Sequence, residues 1–214
     1  VCAGADPGTP VPTCPDWDLG ELLRHTGTVN RWAATMVERS SQERLNRDGV
    51  DWAEPDDPAA LAGWVRDGGD FVEGRFRGAD PSTSMWAWGW PKNAGFWPRR
   101  MVHETGIHRA DAEYALERSP SFDADVAVDG VEELLDNLPH AAYFRPNVAE
   151  LTGDGEVLAF VAPEATFTIT FRPDGFDWTR DAHDADATLE ATSASDLLLV
   201  LYGRRPPERI TGDG

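Results

Sequence analysis

No stretch of this 214-residue chain approaches the roughly 20 consecutive apolar residues that a bilayer-spanning helix needs, and no basic segment leads into a short apolar one as in a secretory leader. A soluble, cytoplasmic protein with no membrane partner is the expectation. Lysine is almost missing: Lys92 is the sole one among 19 basic residues, set against 38 acidic residues for a net charge of −19. A nucleic-acid surface needs clustered cations to displace counterions from phosphate, so nucleic acid is excluded as a partner. Cysteine is scarce too. Cys2 and Cys14 do not form a metal-binding CxxC pair and would close only a short loop, so they read as the reduced thiols of a cytosolic protein. Internal repeats and low-complexity tracts are absent.

Two grammars of periodicity divide what is there. Residues 1–15, with four prolines, form an irregular lead-in. Asp18 and Glu21 then make an acidic capping box, and Leu19, Leu22, Leu23, Val29, Ala33, Met36 and Val37 recur at helical spacing, which predicts a first helix from Leu19 to Arg39. After breakers at Gly49, Pro55 and Pro58, the pattern Leu61, Trp64, Val65, Phe71, Val72, Phe76 predicts a second helix, weakened by Gly68 and Gly69. The segment MWAWGW, with Trp86, Trp88 and Trp90, is either a tryptophan loop packed on the end of a bundle or a wall facing a ligand. Pro98 suits the first turn of a third helix running to Glu117, and Val128, Val131, Leu134, Leu135 and Leu138 mark a fourth that stops at Pro139. Four amphipathic helices imply a four-helix bundle over 1–146.

Beyond Pro146 the period shortens to 2. EVLAFVA, ATFTITF, GFDWTRD and DATLEAT read as strands, and SASDLLLVLYG reads as a capped helix stopped by Gly203. Residues 147–214 thus make a small α+β unit, and the fold class of the whole chain is α+β.

The chemistry concentrates in MVHETGIHRADAE, residues 101–113. A helix advances about 100° per residue, so residues four apart share a face and residues five apart diverge by about 140°. Glu104 and His108 therefore lie together, with Trp97, Met101, Asp111 and Ala115 on the same stripe, whereas His103 and His108 do not. The string is not the HExxH of a metalloprotease. A buried Glu and a buried His need a partner, because desolvating a lone carboxylate costs several kcal/mol or forces protonation. A divalent metal would satisfy both, with His25 on the stripe of Leu22, Val29 and Trp32 as the candidate third ligand. A structural pairing of the side chains would satisfy them as well, and the spacing alone leaves both open. Zinc is the first choice for an N2O donor set, with nickel, iron and cobalt as alternatives.

Three ordered segments carry a resemblance. VPTCPDWDLGELLRHTG, RRMVHETGIHRADAE and DADATLEATSASDLLLVLYGRR resemble the signatures of the mycothiol-dependent maleylpyruvate isomerase family, whose members join a DinB-like metal-binding helical bundle to a sterol-carrier-like α+β domain. The resemblance implies His25, Glu104 and His108 as metal ligands, with water or substrate completing the shell, and no role for His103. It implies that Arg204 binds an anionic substrate near the metal, and that mycothiol serves as thiol cosubstrate. The implied activity is cis–trans isomerisation of an unsaturated keto acid, or thiol transfer to another small electrophile. The alternative is a non-catalytic metal-binding or ligand-sensing protein on the same fold. A hydrolase using activated water lacks an evident general base unless Asp111 serves, and Asp111 suits equally the orientation of a ligand. Two departures bear on the pocket: Ala110 and Tyr202 stand where family members carry Trp.

Overall fold

The computed structural model describes residues 1–48 and 50–212; Gly49, one of the expected breakers, lies outside them. The chain is α+β, with two compact units, Val1–Pro120 and Ser121–Gly214.

The first unit is built on three helices. α1 spans Leu19–Glu38 and is capped by Asp18, whose carboxylate accepts the Glu21 amide at 2.8 Å. That bond satisfies one of the four amides a helix start leaves without partners. α2 spans Leu61–Gly78 and α3 spans Phe96–Ala115. Gly27 on α1 explains how closely the first two can approach: a Cβ there would lie 2.0 Å from Trp64 of α2. Trp64 is held in turn, its indole N–H donating to the Trp52 carbonyl at 3.1 Å and its ring lying under the Arg31 guanidinium at 4.1 Å. Gly68, which seemed to weaken α2, is where Arg31 crosses the helix, with Nη1 2.4 Å from an added Cβ.

α3 meets α1 over an aromatic core. Trp97 is wholly buried, and its ring packs edge-on against Trp32 at 5.1 Å and stacks on Trp86 at 5.9 Å. The tryptophan segment is thus a packed loop for Trp86 and Trp88, with Met85 and Ala87 turned fully inward and Trp90 exposed. Lys92, the lone lysine, closes the loop by donating to the carbonyls of Ala87 and Trp88. The lead-in is irregular as expected, yet it is not idle: Val11 is buried against Leu19, Leu22, Ala112 and Ala115, and brings Cys14 and Trp17 onto the same cluster.

In the second unit, α4 (Ala124–Asn137) precedes a five-stranded sheet made of β1 Val157–Ala162, β2 Ala165–Arg172, β3 Gly175–Thr179, β4 Ala187–Glu190 and β5 Arg209–Gly212. Strand order is β3-β2-β1-β4-β5, antiparallel except for the parallel β1–β4 pair. α5, Ala194–Leu201, is capped by Ser193 and buries Leu197, Leu198 and Leu199. A helix so apolar needs cover on more than one side, and α4 supplies part of it through contacts with α5. This packing groups α4 with the sheet at a division of 120/121, where the periodicity had placed it in a bundle over 1–146. β5 was not anticipated, because four residues after two prolines carry too little pattern; its pairing with β4 defines it. Gly203, at φ +70°, ends α5 in the left-handed conformation that favours glycine.

The helix contact at Gly27 predicts a difference between two glycines. Gly27→Ala should cost about 1–3 kcal/mol by overpacking against a pinned indole. Gly68→Ala should cost less, because the obstructing atoms are the end of an Arg side chain. Chemical denaturation of both variants measures this, and equal losses would contradict the packing account.

Candidate metal centre

Three side chains from two helices make the candidate site, and one irregular segment packs behind them. His25 projects from the middle of α1, and Glu104 and His108 project from one face of α3, as the four-residue spacing requires. Glu104 Oε1 lies 3.2 Å from His25 Nε2 and 3.5 Å from His108 Nε2. The rings of the two histidines meet edge to face with centroids 4.8 Å apart. One donor atom from each of His25, Glu104 and His108 falls within 4.8 Å of the others.

The far sides of His108 and Glu104 are also engaged. His108 donates its Nδ1 proton to Asp111 Oδ2 at 2.9 Å, which leaves Nε2 aimed at His25 and Glu104. Asp111 is fully buried and accepts two further bonds from the lead-in, from the Thr13 hydroxyl at 2.5 Å and the Cys14 thiol at 3.4 Å. Glu104 Oε2 accepts from Arg100 Nη2 at 2.6 Å. Trp17 covers the histidines, its ring centroid 4.9 Å from that of His25 and 6.2 Å from that of His108.

Electrostatics follow from this arrangement. Burial alone would raise the Glu104 carboxyl, but hydrogen bonds from His108 and His25 and the charge of Arg100 outweigh it and hold the group well below its ordinary range. Burial alone would lower His108. Bonds to Asp111 and Cys14 and the proximity of Glu104 reverse that and raise it to about 11. Two carboxylates around one imidazole create a field that favours a cation, whether proton or metal.

The donor set fits a divalent ion. With zinc bonds of about 2.0–2.2 Å, neighbouring ligand atoms of a tetrahedron stand roughly 3.4 Å apart. The 3.2 and 3.5 Å separations around Glu104 Oε1 match that edge. Asp111 behind His108 is the carboxylate–histidine arrangement that fixes the tautomer of a metal-binding imidazole. The members of a second grouping, Cys14, His108 and Asp111, are already bonded to one another, with Cys14 and His108 both donating to Asp111 Oδ2.

His103, excluded on helix-face grounds, is buried on another side of α3. Arg204 lies in the second unit, just past α5, and donates to the Tyr202 carbonyl at 2.8 Å. Arg100, Thr13, Cys14 and Trp17 were not picked out as site residues. Arg100 was legible in principle, since it stands four residues before Glu104 on the same helix.

Comparison with known families agrees with the signatures. The model of the mycothiol maleylpyruvate isomerase N-terminal domain matches residues 1–113, and the model of the corresponding C-terminal domain matches residues 125–214. No curated protein and no solved structure matches the chain.

The pKa shifts set two pH dependences. His108, raised from its ordinary 6.5, stabilises the fold below 6.5 and loses that contribution as pH rises through about 11; Glu104, lowered from 4.5, stabilises above 4.5 and loses it as pH falls through its depressed value. A metal held by His108 would have to displace its proton, so the apparent affinity of such a site should climb about tenfold per pH unit between 6 and 9, with close to one proton released per ion. Titration calorimetry in buffers of different ionisation enthalpy measures that release. Asp111→Ala should weaken binding about 10–100-fold and flatten the pH slope. A pH-independent affinity in the wild type would contradict a metal displacing a proton from a raised His108.

Proposed function

The chain belongs to the mycothiol maleylpyruvate isomerase family, and from that premise we propose that it is a metal-dependent enzyme that uses mycothiol as thiol cosubstrate. The observation that carries the proposal is the convergence of His25 Nε2, Glu104 Oε1 and His108 Nε2 at ligand spacing, with Asp111 behind His108. An N2O set of three protein donors is that of catalytic zinc sites, which keep one position for an exchanging ligand. Zinc is accordingly the metal proposed.

When bound, the ion lowers the pKa of a thiol in that position, so that the thiol reacts as a thiolate at neutral pH. The protein's own part is to hold and orient. His25, Glu104 and His108 fix the direction of approach, Asp111 retains the Nδ1 proton of His108 so that Nε2 stays a donor, and the Trp17 indole shields the two rings from solvent. In the isomerase form of the reaction, the thiolate adds to a carbon–carbon double bond conjugated with a carbonyl, the resulting single bond rotates, and the thiolate leaves with the new geometry. Thiol and substrate atoms are conserved. In the transferase form the adduct is released.

Asp111 does not suit the general base of a hydrolase. It is fully buried and already accepts bonds from His108, Thr13 and Cys14.

Arg204 is proposed to bind the carboxylate of an anionic electrophile. A protein of net charge −19 needs a local cation for such a substrate, and a guanidinium offers paired donors that match a carboxylate. The described residues include no helix long and apolar enough to cross a membrane. A reaction that requires a reduced thiol suits the cytoplasm, the compartment proposed.

Steady-state assays with unsaturated keto acids and other small electrophiles, with and without mycothiol, test the function. A rate that requires both thiol and metal is expected, and no thiol-dependent rate with any electrophile would contradict it. Arg204→Ala should raise KM about 10–100-fold, the loss of one charged hydrogen-bonded pair, with metal content unchanged. An unchanged KM would remove Arg204 from substrate binding.

A further inference from the structure

We propose that Arg100 is a positioning residue that confines Glu104 to a single donor oxygen and thereby keeps a place beside the ion for an exchanging thiol. The inference rests on the metal-dependent reading above and adds to it how the open position is maintained.

A carboxylate has two oxygens, and here they face different partners. Oε1 points to His25 and His108, at 3.2 and 3.5 Å, while Oε2 meets Arg100 Nη2 at 2.6 Å. Arg100 precedes Glu104 by four residues on α3, so the helix itself places the guanidinium over the carboxylate. The Arg100 side chain is only 8% exposed, against 24% for Glu104, and its guanidinium lies 5.9 Å from the centre of the Trp88 ring. Helix register and the packed tryptophan loop thus both fix where this cation sits.

Its chemistry suits the task. A guanidinium stays protonated at any working pH and donates in a rigid fork, so the grip on Oε2 does not lapse. With Oε2 engaged, Glu104 offers one donor and the three side chains together offer three, which leaves a tetrahedral ion one position to exchange. With Oε2 released, the carboxylate is able to chelate with both oxygens and fill that position itself. A purely structural Arg100, present only to neutralise a buried carboxylate, would leave the number of donors unaffected.

Cobalt(II) is the probe, because its visible absorption weakens as coordination rises above four. Wild type, Arg100→Met and Arg100→Lys are loaded with cobalt and titrated with 2-mercaptoethanol. Expected for Arg100→Met is retained cobalt binding, a several-fold weaker visible band and a loss of about tenfold or more in thiol affinity, the scale on which partners behind a ligand act. Arg100→Lys, which restores a cationic donor, should recover much of both. A cobalt spectrum and thiol affinity in Arg100→Met equal to those of wild type would overturn the proposal.

A second measurement needs no variant. The separation of the Glu104 carboxylate stretches in the infrared difference spectrum of the zinc-loaded wild type should be that of one-oxygen coordination, and a two-oxygen signature would overturn it. Failure of wild type to bind either metal would remove the metal reading and this inference together. Binding by wild type with an unmoved Arg100→Met would remove this inference alone.

Discussion

A carboxylate half-buried between two helices is the constraint on which the first unit turns. Glu104 faces two imidazoles with one oxygen and a guanidinium with the other; α3 itself supplies the Arg100 and His108 contacts, and the His25 contact holds in only one register of α3 against α1. An unpaired charge in that position would cost several kcal/mol. The sequence therefore has to deliver His25 from α1 and Arg100 and His108 from α3 to the same place, and much of the surrounding packing serves that delivery. Trp97, one turn before Met101, locks α3 against Trp32 of α1 and Trp86 of the loop. Gly27, two residues beyond His25, lets α2 close on the opposite side of α1.

The N-terminal lead-in acts in the same direction by different means. It has no regular structure, yet Val11 is anchored in a cluster with Leu19, Leu22, Ala112 and Ala115, and the backbone returns to pair with Trp17. Thr13 and Cys14 are thereby brought to Asp111, and Trp17 to the two histidines. Asp111 links the lead-in to the site, since the carboxylate that receives these bonds also holds the proton of His108. Loss of the lead-in would thus act on His108 through Asp111 and not only on the fold.

What could be read from the sequence was whatever a single period encodes. Helical spacing placed Glu104 and His108 on one face, turned His103 away from it, and offered His25 from the first helix; alternation found β1 to β4. What could not be read depends on contacts between segments with no shared period. Thr13 and Cys14 reach Asp111 across nearly a hundred residues of chain. β5 exists through its pairing with β4, and Ile210, its one large apolar residue, stays exposed. α4 has the amphipathic pattern of a bundle helix, but its partner is α5, whose all-apolar face no helical wheel of α4 reveals. The tryptophan segment packs as one of its two readings allowed, but the alternation did not tell which residues turn inward: Met85, Ala87 and Gly89 are buried, and Trp86 and Trp88 only partly so.

The account stands on the claim that His25, Glu104 and His108 hold one divalent ion. Metal content by elemental analysis, in wild type, Glu104→Ala and His103→Ala purified together, tests it most directly. Close to one equivalent in wild type and His103→Ala, and a loss of it in Glu104→Ala, is the predicted result. Equal metal content in all three, or none in the wild type after supplementation with zinc, would contradict it and leave these side chains as a buried ion pair between two helices.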